Sequence, residues 1–217
     1  STVYRQNKTV TYTEAIAWYQ SLAAKYPKSK LITCGNTDSG KPLHLFVITN
    51  DGDFNPSSNH KKNKSIILVN NGIHPGEPCG IDACLKLSKD LLTDTKMQPL
   101  LKHTVICIIP VFNIDGALNR NSLSRVNQNG PEEYGFRGNA RHLDLNRDFT
   151  KCDSKEARSF ARLFHWLDPE ILVDNHVSDG ADYQHTMTML TSQYDKLGAG
   201  PGGWLRDTFE PRLYNGM

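Results

Sequence analysis

The sequence predicts an α/β protein, a three-layer α/β/α sandwich around a mixed, largely parallel sheet. Two observations carry the prediction. Segments with helical spacing alternate with short, nearly continuous apolar runs, and such runs suit strands covered on both faces. Polar clusters directly follow three of those runs, as expected where sites gather at the carboxyl ends of sheet strands. At 217 residues the chain fits one large domain or two small ones, and a single domain over 1–217 is expected.

The elements follow in order. Thr11-Tyr12-Thr13-Glu14 matches a capping box, and Ala15, Ile16, Tyr19, Leu22, Ala23 and Tyr26 keep helical spacing until Pro27 stops it. A strand ends in Cys34, Asp38-Ser39-Gly40-Lys41-Pro42 is a turn, and His44 to Thr49 is a second strand. Asn50 to Lys64 is polar and rich in turn residues, so a loop is expected. Ser65 to Asn70 is a buried strand, Pro78 to Leu92 a helix and Thr104 to Val111 another buried strand. Gly116 to Arg147 has no clear periodicity, and long ordered loops of this kind often carry function. Asp153-Ser154-Lys155-Glu156 matches a second capping box and opens a helix. Ile171 to Asp174 is a third buried strand and Thr186 to Leu190 a fourth.

Composition excludes several classes. Hydrophobic residues make up 38% and charged ones 22%, an ordinary globular mix. Twenty-five Lys+Arg against 23 Asp+Glu leave a net charge of +2, which argues against a dedicated nucleic-acid or polybasic membrane binder. No apolar stretch is long enough to span a bilayer, and no signal peptide is legible at Ser1. The five cysteines are odd in number and lack zinc-finger spacing, so no disulfide framework is expected and at most one or two bridges could form; Cys84 and Cys107 read as buried thiols.

Three clusters could do chemistry. His74-Pro75-Gly76-Glu77 sets an imidazole and a carboxylate three apart on a tight turn, and zinc takes both donor types. Alone, the spacing also fits a hydrogen-bonded loop histidine beside a surface glutamate. Asp174-Asn175-His176 follows a buried strand and would bring His176 to the sheet edge beside the first cluster, with His185 as runner-up. Asp144-Leu145-Asn146-Arg147 offers an arginine able to hold a carboxylate bidentately and an asparagine beside it. Its plainer account is a surface arginine paired with Asp144 or Asp148.

Taken in order with Phe112-Asn113-Ile114-Asp115-Gly116, the clusters resemble the zinc carboxypeptidases of the pancreatic carboxypeptidase A type, family M14. The resemblance runs from about Tyr4 to His176 or slightly beyond. It implies that His74, Glu77 and His176 hold one zinc ion per chain and that Arg147 with Asn146 grips the substrate's terminal carboxylate. Arg125 best matches the arginine that polarises the scissile carbonyl, with Arg120 and Arg137 as alternatives. The implied partner is a peptide with a free carboxyl terminus, not nucleic acid or membrane. The oligomeric state is open, and a secreted or periplasmic location is favoured over a cytoplasmic one.

Departures are expected to matter. The family's general base is a glutamate on a later strand, but Glu210 is the only glutamate after His176 and its flanks do not match. The chain is therefore expected to be the amino-terminal portion of a catalytic domain, truncated at its carboxy-terminal end and lacking the general base. Val177-Ser178 lacks the aromatic residue of digestive members, and Ile114 replaces a proline. Two other functions fit the same motifs: a zinc deacylase or amidase acting on acyl-amino acids or cell-wall peptides, and a non-catalytic binder of peptide tails.

Overall fold

The computed structural model describes residues 6–178 and 180–216. Tyr4, where the resemblance begins, and Met217 lie outside them. The chain packs as two compact units, Ser1–Gly180 and Ala181–Met217.

The first unit contains helices α1 (Tyr12–Lys25), α2 (Pro56–Lys61), α3 (Cys79–Thr93), α4 (Ile114–Leu118) and α5 (Lys155–Leu167). Its strands are β1 (Ser29–Asn36), β2 (Pro42–Ile48), β3 (Ser65–Asn70), β4 (Thr104–Ile109), the two-residue β5 (Arg120–Asn121) and β6 (Tyr134–Gly135), and β7 (Ile171–Asp174). The main sheet runs in the order β1-β2-β4-β3-β7. β1, β2 and β4 pair antiparallel, whereas β4, β3 and β7 run parallel.

The three layers follow from strand periodicity. Leu43, Leu45 and Val47 of β2, Ile66 and Leu68 of β3, and Val105, Cys107 and Ile109 of β4 pack with Phe160, Leu163 and Leu167 of α5. The alternate residues Phe46, Ile48, Val69 and Ile108 pack with Tyr19 and Leu22 of α1 and Cys84, Leu91 and Leu92 of α3. A period of two therefore splits one sheet between two helical layers. All five cysteines are free thiols, and burial pushes Cys107 up to about 12 and Cys84 up to about 11.

Four expectations are corrected. Within Asn50 to Lys64 lies α2, opened by Asn55, whose side chain accepts from the Ser58 N–H, with Pro56 in the first turn. Composition hid this Asn-Pro start signal. α5 begins one residue later than predicted: Ser154, not Asp153, is the cap, and its hydroxyl accepts from the Ala157 N–H. β7 is not covered on both faces. Leu172 and Val173 are 43% and 40% exposed, because β7 ends the described sheet and pairs only with β3. Thr186 to Leu190 forms no strand.

The second unit is helical from α6 (Tyr194–Leu197) through α7 (Ala199–Trp204), a π turn at Leu205–Phe209, and α8 (Glu210–Gly216). Among its described residues there is no strand edge for Thr186 to Leu190 to pair with, and a lone strand leaves its backbone groups unpaired. No helix among the described residues is long and apolar enough to cross a membrane.

Candidate metal centre

The parallel strands β4, β3 and β7 end side by side, and the site grows from the loops that follow them. After β3 the chain must turn sharply. Gly72 takes a φ of +66°, which a glycine adopts without steric cost, and the Phe112 and Asn113 N–H groups bond to the carbonyls of Asn71 and Gly72. Buried Ile73 anchors the turn. The Glu77 N–H then bonds to the His74 carbonyl at 2.9 Å, which folds both side chains to one side. A second glycine makes room: a Cβ on Gly76 would sit 2.5 Å from Cδ of Arg125, so only glycine lets that side chain pass toward Glu77.

β7 delivers the third residue. Its register sets Asp174 opposite Asn70, and His176 follows two residues on. His74 Nδ1 lies 3.0 Å from Glu77 Oε1, and His176 Nδ1 lies 2.9 Å from Glu77 Oε2. The two imidazole centroids are 5.3 Å apart. One ligand atom from each of His74, Glu77 and His176 falls within 4.8 Å of the others, the sole such group among the described residues. Two imidazole nitrogens and a carboxylate oxygen at that spread suit one divalent ion with ligand bonds of ~2.0–2.2 Å, so the residues fit zinc.

Cations crowd the carboxylate. Arg125 Nη2 lies 3.0 Å from Glu77 Oε1, Arg137 Nη1 lies 4.0 Å from it, and the Val177 N–H donates to Oε2 at 3.1 Å. Burial works to raise the Glu77 carboxyl, but hydrogen bonds from His176 and His74 outweigh it and hold the group well below the usual carboxylate range. His176 moves the other way. Hydrogen bonds to Asp174 and then Glu77 push its imidazole up to about 10.

Behind each imidazole stands a second carboxylate that sequence reasoning did not place. Asp144 Oδ1 lies 3.0 Å from His74 Nε2, and its Oδ2 accepts from Arg137. Asp174 Oδ2 lies 3.0 Å from His176 Nε2. A signal existed for Asp174: residues two apart at a strand end share one side. For Asp144 the sequence offers only a pairing with Arg147.

The predicted arginines separate. Arg125 is buried against Glu77, and its Nε donates to Gln128 Oε1 at 2.9 Å. Half-exposed Arg137 reaches the same carboxylate less closely. Arg120 turns away, toward the Glu133 carbonyl. Arg147 pairs with neither Asp144 nor Asp148. It is exposed on a 3-10 turn, Leu145–Arg147, whose cap is Asp144, and Nη1 donates to the Asn146 carbonyl. His185 is not in the group.

The family model described as zinc carboxypeptidase matches residues 15–170, most of the chain. The chain belongs to the zinc carboxypeptidase family. His74 and Glu77 lie inside the matched span and His176 just beyond it. Among curated relatives of this family member, "Probable carboxypeptidase 2" of Arthroderma benhamiae is 30% identical over 136 residues, covering 62% of this chain and 22% of that one. Carboxypeptidase O of Bos taurus is 28% identical over 153 residues, covering 67% of this chain and 38% of that one. The chain thus spans well under half the length of these relatives. A metallo-carboxypeptidase from Burkholderia cenocepacia shares the fold with a TM-score of 0.63 at 18% identity, over 81% of this chain and 43% of that one.

Proposed function

We propose that this zinc carboxypeptidase family member binds one zinc ion through His74, Glu77 and His176 and that its parent activity is hydrolysis of the carboxy-terminal peptide bond of peptides. The observation that carries the reading is the convergence of those three side chains from loops a hundred residues apart in sequence. When bound, zinc supplies a Lewis acid that acidifies water and polarises a carbonyl.

The chain's own residues have distinct work. Asp144 and Asp174 accept from the imidazole Nε2 atoms and so turn both Nδ1 atoms inward. Arg125, buried beside Glu77, brings a fixed positive charge to the place where a scissile carbonyl oxygen gathers negative charge. Arg147 and Asn146 hold the substrate carboxylate. Their turn begins at Asp144, which touches His74, so a peptide tail held there lies within one short turn of the metal ligands. An internal peptide bond offers no such anion, which restricts cleavage to chain ends. Glu210 is not the proton acceptor in this reading, because its carboxylate accepts from the Thr191 and Tyr194 hydroxyls.

The test is metal and peptide binding by the purified chain. About one zinc per chain is expected, lost in His74→Ala. Peptides with free carboxyl ends should bind more tightly than their amides by roughly tenfold or more, and Arg147→Ala should erase that difference. A metal-free wild type ends the zinc reading; equal binding of acid and amide ends the anchoring role.

A further inference from the structure

The imidazole of a metal-binding histidine has two nitrogens, and something must decide which one faces the ion. We infer that Asp174, clamped by Asn70, is the positioning residue that commits His176 to ligation through Nδ1; the inference rests on the zinc reading above. Asp174 Oδ2 lies 3.0 Å from His176 Nε2. A carboxylate there accepts only, so Nε2 must carry the hydrogen and the electron pair available to a cation is on Nδ1.

The carboxylate is itself fixed. Its other oxygen, Oδ1, accepts from Asn70 Nδ2 at 3.1 Å. Asn70 is buried and pairs with Asp174 in the β3–β7 register, and its carbonyl accepts from the Asn175 N–H at 3.0 Å. Asn175 Nδ2 in turn donates to Asn71 Oδ1 at 2.8 Å. Asn70 Oδ1 has no hydrogen-bond partner. Turning the amide over would set two acceptors against each other at Asp174, so the orientation that leaves Oδ1 unpaired is the one that serves the carboxylate.

This device answers a local weakness. β7 is exposed, and His176 follows it with about a third of its side chain open to solvent. Packing does not hold this ring as it holds buried His74. Two hydrogen-bonded links, Asn70 to Asp174 and Asp174 to His176, replace the missing walls.

The experiment uses the full chain with zinc as the only ligand. Zinc affinity is measured by competition with a chromophoric chelator for wild type, Asp174→Ala and Asp174→Asn. Thermal midpoints of the metal-free proteins are recorded alongside, and ¹⁵N spectra of the His176 ring are taken on zinc-loaded samples. Asp174→Ala should weaken zinc binding by roughly 10–100-fold and split the ring between Nδ1 and Nε2 ligation. Asp174→Asn, whose side-chain oxygen still accepts, should recover part of the affinity and the single ring state. Wild-type affinity in Asp174→Ala, or an unchanged ring state with loss confined to metal-free stability, overturns the inference while leaving the zinc reading intact. A wild-type chain without zinc affinity sinks both.

Discussion

Glu77 and Glu156 are both buried glutamates, 3% and 0% exposed, and their surroundings pull them in opposite directions. Glu77 is enclosed by cations and donors: two imidazoles, Arg125 and the Val177 N–H. Glu156 meets neutral donors, the Asp38 N–H at 3.2 Å and Asn139 Nδ2 at 3.3 Å. Burial, with repulsion from Asp38 and Asp115 added, pushes Glu156 up to about 7. Burial therefore does not mark a ligand by itself. The charge of the enclosing groups separates a carboxylate arranged to stay ionised, and so fit to hold a metal, from one that braces two loops against α5.

The largest effect that would break this contrast is in metal binding. Glu77→Gln should weaken zinc affinity by at least ~100-fold, since one of three protein ligands is lost from a site of the kind worth ~10–16 kcal/mol in structural centres. Glu156→Gln should leave zinc affinity within about twofold, because it touches neither imidazole. Chelator competition on both variants checks this. Comparable losses would mean that the cationic enclosure does not single out the ligand.

Stability against pH comes next, and the two glutamates should act with opposite sign. Glu77 is held below its ordinary 4.5, so in metal-free protein its contribution is present above 4.5 and is lost as pH falls. Glu156 is raised, so the folded state grips its proton more tightly than the unfolded chain does. Its contribution is present below 4.5 and is lost as pH rises through about 7. The loss reaches at most ~3 kcal/mol across that window. Urea midpoints with chelator present should show wild type falling relative to Glu156→Gln between 4.5 and 7 and holding a constant difference above. Parallel curves would remove the raised proton affinity.

What the sequence disclosed about these two residues differs for a physical reason. Glu77 sits in a short motif on a turn, where His74, Gly76 and Glu77 are local to one another and the fold adds only His176. The apolar runs of β3 and β4 were equally legible, because alternation writes both helical layers into each strand. Glu156 was misread because its partners, Asp38 and Asn139, are distant in sequence. β7 was misread because apolar residues announce a strand but not how many neighbours it has. Asp144 escaped because a carboxylate's role behind an imidazole depends on which ring nitrogen faces it, and that exists only in three dimensions.

The smallest prediction sharpens the error at Glu156. A capping box at Asp153 requires the Glu156 side chain to reach back to the cap's own N–H. In the fold both Glu156 oxygens are spent on Asp38 and Asn139, and the start of α5 shifts to Ser154. Ser154 caps with its hydroxyl on the Ala157 N–H while the same hydroxyl donates to Asp148 at 2.6 Å. Asp153 is left at the surface, near Lys151. Ser154→Ala should then cost ~1–2 kcal/mol, the range of a lost helix cap, and Asp153→Ala under ~0.5 kcal/mol. Denaturant midpoints of the two variants decide it. A larger loss at Asp153 would restore the capping box and free Glu156 from its role as a brace.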